Sequence, residues 1–196
     1  RLSSAIAFSP TFLHFIRLEV ESKMLNTYVF VVFVIFASSI FHRGSCFGSG
    51  APPWQCNNMM PHHRGAPAQT GPSPYIIRVQ RPYYTPGQNV QVALLSSRDA
   101  IMGYLIQARR VGDNAAIGTF AFQPRNGKFL SCGNRHRSAI THSTRLSSRF
   151  VGFEWVPPQG LSGNIAFYAT VVKDMTTFWV RLQSPVLSRR DQRVRQ

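Results

Sequence analysis

Residues 75–94 read YIIRVQRPYYTPGQNVQVAL, and this stretch decides the fold. Tyr75-Ile76-Ile77-Arg78-Val79 is β-branched and aromatic, the composition that suits a pleated, half-buried surface. Thr85-Pro86-Gly87-Gln88 is a turn with Pro at the second position and Gly at the third. Asn89-Val90-Gln91-Val92-Ala93-Leu94 then alternates polar and apolar residues, the period-two pattern of a strand with one buried face. The same reading extends downstream to Met102–Ala108, Ile117–Phe122, Ala139–His142, Phe150–Val156, Ile165–Val172 and Thr177–Leu182. Pro157-Pro158-Gln159-Gly160 and Ser162-Gly163-Asn164 punctuate the last third. Eight short strands at turn spacing, with no sustained helical period, predict an all-β chain folded as an antiparallel β-sandwich.

Upstream of this region, residues 47–74 hold Pro52, Pro53, Pro61, Pro67, Pro72 and Pro74 and read as an irregular arm anchored by Cys56. Further upstream, Met24 precedes the apolar run Tyr28–Phe41. The run is short for a bilayer-spanning helix, which needs about 20 apolar residues, but it matches the apolar region of a signal peptide. Residues 24–46 are therefore expected to be a signal peptide, with residues 1–23 as upstream sequence translated in frame or as an artefact of a fragment. A signal anchor with a short cytosolic tail is the alternative. Small residues permit cleavage near Cys46–Phe47, with an earlier site at Ala37-Ser38-Ser39. The later site leaves Cys56 and Cys132, and two thiols in an oxidising compartment are expected to form a disulfide; the earlier site keeps Cys46 as well. The chain then has no stable membrane span after processing.

Lys and Arg number 22 against 7 Asp and Glu, for a net charge of +15 in 196 residues. Cleavage after Cys46 removes Arg1, Arg17, Lys23 and Arg43 with Glu19 and Glu21, leaving +13. Such a chain is drawn to acidic surfaces. Seven carboxylates leave little material for carboxylate catalysis or a calcium site. No G-x-S-x-G, H-E-x-x-H, Walker A or C-x-x-C sequence occurs, so no catalytic residue and no cofactor is expected. His62, His63, His136 and His142 are read as surface or hydrogen-bonded residues, and no metal site is assigned. The basic runs are Arg109-Arg110, Arg135-His136-Arg137 and Arg145 to Arg149. Phe120, Phe122, Phe153, Trp155, Phe167, Tyr168, Phe178 and Trp179 fall in strand patterns and are expected in the core. With no RNP-like or KH-like motif, nucleic acid is not the expected partner. The run from Ser188, with Arg189, Arg190, Arg193 and Arg195, reads as a basic disordered tail over 188–196.

An ordered string of motifs runs through residues 47–187. It opens with Gly50-Ala51-Pro52 and a C-x-x-M-x-P-x-H pattern at Cys56, Met59, Pro61 and His63. Pro74-Tyr75, Tyr84-Thr85-Pro86-Gly87, Gly103-Tyr104-Leu105-Ile106-Gln107-Ala108-Arg109 and Gly118-Thr119-Phe120 follow. Cys132, Ala139-Ile140-Thr141-His142-Ser143, Trp155-Val156-Pro157 and Phe178-Trp179-Val180 close it. In these motifs the chain resembles the reeler (reelin-type) domain, and specifically the short secreted insect defense proteins. The resemblance implies an extracellular, immunoglobulin-like β-sandwich, a role in innate defence against microbes, and no enzymatic activity.

Two function classes are in play. The first is a secreted, non-catalytic defence protein whose cations bind an anionic microbial surface, lipid or polysaccharide. Arg109, Arg110, Arg135, Arg137, Arg145 and Arg149 are its expected contacts. The second is the N-terminal reeler ectodomain of a ferric-chelate reductase-like membrane protein, in which the domain is an accessory module.

Overall fold

The computed structural model describes residues 48–63 and 65–191, together with Thr27, Val29 and Phe30. The chain divides into two units, 1–43 and 44–196. In the first, Thr27, Val29 and Phe30 are helical; the rest of the expected signal peptide lies outside the described residues, and no described helix is long and apolar enough to cross a membrane.

The second unit is built from strands. β1 (Tyr75–Val79), β3 (Val90–Ser96), β9 (Phe150–Val156) and β6 (Thr119–Phe122) form a four-stranded sheet in that order. β11 (Phe178–Gln183), β10 (Ile165–Val172), β4 (Gly103–Arg110), β8 (Arg135–His142) and β7 (Gly127–Cys132) form the second sheet in that order, with β5 (Ala116–Ile117) paired to β4 as a sixth strand. All pairs within these sheets are antiparallel. The expected β-sandwich is what the chain adopts.

Alternation along the strands builds the core. Tyr75, Ile77, Val92, Leu94, Val151, Phe153 and Trp155 face inward from the four-stranded sheet, against Tyr104, Ile106, Ile140, Phe167, Ala169 and Val171 of the other. Trp155 lies edge-on to Phe167 and to Tyr84, and its indole N–H donates to the Ile117 carbonyl at 3.0 Å. An indole buried with its N–H satisfied contributes area at no polar cost.

Two expectations need correction at the level of elements. The single strand expected over Ile117–Phe122 is two strands in different sheets, because Gly118 turns the chain across the sandwich. Its φ is +68°, and a Cβ there would lie 2.5 Å from the Trp155 ring, so only glycine fits. The tail expected to be disordered from Ser188 instead begins as β12 (Ser188–Arg189), paired in parallel with β2 (Tyr83–Tyr84). The cause is Leu187, fully buried and hydrogen-bonded in both directions to Ile165, which delivers the next residues onto that edge. β7 was not legible as a strand, since Lys128 and Ser131 break its apolar run.

Candidate functional site

The Pro-rich arm lies on the outer face of the six-stranded sheet. Cys56 and Met59 pack there with Leu105, Ala116, Leu130, Cys132 and Ala139. The expected Cys56–Cys132 disulfide is present, with Cα atoms 5.6 Å apart. Met59 sits at φ +55°, a conformation that turns its carbonyl to accept the Thr170 hydroxyl at 2.7 Å. The Thr141 hydroxyl accepts the Ala51 N–H at 2.9 Å.

Arg109 is the central polar anchor of this contact. Its guanidinium donates to the carbonyls of Cys56 at 2.8 Å and Asn57 at 2.9 Å, and to Asn114 Oδ1 at 3.0 Å. Its guanidinium carbon stands 5.5 Å from the centre of the Tyr168 ring. The Gln107 amide donates to the same Cys56 carbonyl at 2.7 Å. Arg109 is 1% exposed, and burial pushes its pKa down from the usual arginine value. It is therefore not a contact for an external surface, contrary to the sequence expectation. Strand alternation points Arg109 beneath the arm and Arg110 to solvent.

Motif residues Met59, Pro61, His63 and His142 line one small cavity of about 40 Å³ under the arm. Buried His63 stacks edge-on to Phe178 at 5.3 Å. Burial lowers its pKa; the Met175 backbone and the Asp174 charge oppose that, and the His142 charge adds to it. His142 Nδ1 lies 3.1 Å from the Tyr104 N–H, and a Cβ at Gly103 would lie 2.8 Å from its ring, so this ring is packed against backbone. Among the described residues no group of three or more His, Cys, Asp or Glu could hold a metal ion. Of the remaining motif residues, Trp155 is in the core, and Trp179 donates its indole N–H to the Gly71 carbonyl at 3.1 Å.

The exposed arginines separate into groups. Arg110, Arg135 and His136 line one groove of about 470 Å³ together with Ile117, Gly118, Thr119, Pro158, Gly160 and Leu161. Arg110 donates to the Ser162 carbonyl at 3.3 Å, and Arg135 donates to the Ala116 carbonyl at 2.7 Å. Each spends part of its fork on a backbone carbonyl. Arg189, which the sequence had placed in a disordered tail, donates to the Leu161 carbonyl at 3.1 Å on the same loop. Asp113 tempers the charge; the Ala115 and Asn114 N–H groups and the charges of Arg110 and Arg135 hold its carboxyl below the usual carboxylate value. Arg137 is occupied elsewhere: it donates to the Ala121 carbonyl at 3.0 Å and stands 3.9 Å from the centre of the Phe129 ring. Arg145 and Arg149 are exposed on the segment before β9 and do not line this groove. Phe122 is 55% exposed rather than in the core, because the register shift after Phe120 sets it beside Glu154 on the outer face.

Comparison with known proteins places this arrangement. A family model described as the Reeler domain matches residues 54–194. The chain is 37% identical over 161 residues to the "Putative defense protein" of Bombyx mori, covering 79% of this chain and 90% of that protein. It is 32% identical to the "Putative ferric-chelate reductase 1" of Danio rerio, covering 74% of this chain but only 26% of that protein. Among solved structures, the human F-spondin reeler domain superposes with a TM-score of 0.54 at 19% identity, covering 64% of this chain and 94% of that one. The matched span begins in the arm that Arg109 and the disulfide hold, takes in both sheets and runs past β12, so the chain belongs to the reeler domain family.

Proposed function

We propose that this protein is an extracellular, non-catalytic defence protein that binds anionic microbial surfaces through the groove formed by Arg110, Arg135 and His136. The observation that carries the reading is the convergence of Arg110 and Arg135 on one open groove. The net charge of +15 supports it by enriching the protein near anionic surfaces. The Cys56–Cys132 disulfide supports an oxidising, extracellular setting. Likeness to insect defense proteins over most of their length supports the biological role.

Retention on immobilised lipopolysaccharide tests the reading. Arg110→Gln with Arg135→Gln should lower retention severalfold while leaving the protein folded, as a cooperative melting transition shows. Salt should weaken binding steeply, since the screening length falls from about 10 Å at 0.1 M to about 3 Å at 1 M. Retention unaffected by the substitutions and by salt would overturn the electrostatic reading. For secretion, N-terminal sequencing of protein from the culture medium should start between Ile40 and Gly48. A second reading, an accessory module of a ferric-chelate reductase-like protein, is favoured by the Danio rerio relative, of which this chain spans about a quarter. Continuation of the transcript into a haem-binding membrane region would select it.

A further inference from the structure

Among the described residues no arm lies over the outer face of the four-stranded sheet. Pairing aligns Ile76 with Leu95 and Leu95 with Phe150, which makes one apolar row across three strands. Ile76 is 52% exposed, Phe150 60% and Phe122 55%. Between the two phenylalanines lies an open groove of about 480 Å³, which Arg125 and Gly152 also line. Gly152 leaves a depression beside the Phe150 ring, where a Cβ would come within 3.4 Å of the ring carbons.

The charge beside this groove is mainly basic: Arg125 lines it, and Arg145 and Arg149 are exposed on the segment that leads into β9. The acid that lines the groove, Glu154, is engaged: its carboxylate accepts from Asn89 at 2.6 Å and from Gln91 at 3.2 Å. Exposed aromatic rings bordered by arginines fit the boundary of an anionic bilayer, where rings leave water at headgroup depth and guanidinium groups meet lipid phosphate. A soluble polyanion would satisfy the arginines but leave the rings hydrated. A second copy would bring two strongly positive surfaces together.

We propose that this face seats on an anionic lipid bilayer, with Phe122 and Phe150 entering the headgroup boundary and Arg125 beside them on the phosphates. The proposal rests on the reading that anionic surfaces are the target, but it uses a different face from the Arg110–Arg135 groove and an apolar as well as an ionic contact.

Co-sedimentation with vesicles of phosphatidylcholine and phosphatidylglycerol in equal parts, using protein recovered from culture medium, tests it. Phe122→Ser with Phe150→Ser should lower vesicle binding on the order of tenfold, because two rings lose their apolar seat. Wild-type protein should keep part of its binding in about 1 M salt, where ionic attraction is screened, and the double variant should not. Wild-type-like vesicle binding by the double variant would overturn the proposal. Phe150→Trp guards against misfolding of that variant: its added emission should shift to shorter wavelength on these vesicles and not with soluble dextran sulfate, and no shift would equally overturn it. Arg110→Gln with Arg135→Gln separates the two readings. If it abolishes lipopolysaccharide retention yet leaves vesicle binding, both faces act. If it abolishes vesicle binding while the phenylalanine variant does not, the groove alone acts and the docking face fails.

Discussion

The outer face of the six-stranded sheet presents Leu105, Gln107, Arg109 and Thr170, all buried because the Pro-rich arm lies on them, whereas the outer face of the four-stranded sheet presents Ile76, Phe122 and Phe150, all more than half exposed. The polar groups of the covered face are tied to arm carbonyls: Arg109 to Cys56 and Asn57, Gln107 to Cys56, Thr170 to Met59. The bare face offers side chains that any apolar surface could cover. Hydrogen bonds have direction and commit a face to one partner; apolar area does not. The arm is therefore tied to its face by directed bonds, whereas the other face keeps Ile76, Phe122 and Phe150 exposed.

Breaking the cover should produce the largest effects. Replacing both Cys56 and Cys132 by Ser frees a loop of 76 residues' separation and should cost about 4 kcal/mol, read by denaturant unfolding. A loss below about 1 kcal/mol would mean that hydrogen bonds alone hold the arm. Next is Arg109→Met, which keeps the stem but strands the Asn57 carbonyl and leaves the Cys56 carbonyl to Gln107 alone, at a cost of about 3 kcal/mol. Arg110→Met, one residue away but exposed, should stay within about 0.5 kcal/mol. Equal losses at the two positions would contradict the assignment of faces.

A smaller effect is pH-dependent. Burial holds the pKa of His63 below 6.5, so the folded state binds a proton less readily than the unfolded chain. The stability that neutral His63 supplies is complete above pH 6.5 and is lost as pH falls through that value toward its lower folded pKa. The melting temperature should therefore drop between about pH 7 and pH 5, and the drop should shrink in His63→Gln. An identical drop in both proteins would remove His63 from the account. Least of all, Ile76→Thr on the bare face should change stability by no more than about 0.5 kcal/mol, since half its surface already meets water. A loss of about 2 kcal/mol would show that this face is not open.

Strand positions were legible because alternation survives in the linear sequence: Phe150–Val156 and Ile165–Val172 are strands with the expected bounds. The disulfide partners were legible as well, as the two cysteines that cleavage near Cys46–Phe47 would leave. The arginine contacts were legible only as a list. Of the six, Arg110 and Arg135 share a groove, Arg109 is buried, Arg137 packs on Phe129, and Arg145 and Arg149 stand apart from the groove.

The sequence by itself determined the sandwich, the basic charge and most strand positions, but not the turn at Gly118, which splits the strand expected over Ile117–Phe122. These depend on local composition and on a period of two, which each segment carries within itself. Tertiary structure decided that Phe122 faces out, that Ser188 and Arg189 join an edge, and that Arg109 is covered while Arg110 is free. Alternation says that neighbouring side chains point to opposite faces, but which face meets water depends on a segment some fifty residues away: the arm that places the Cys56 carbonyl against Arg109.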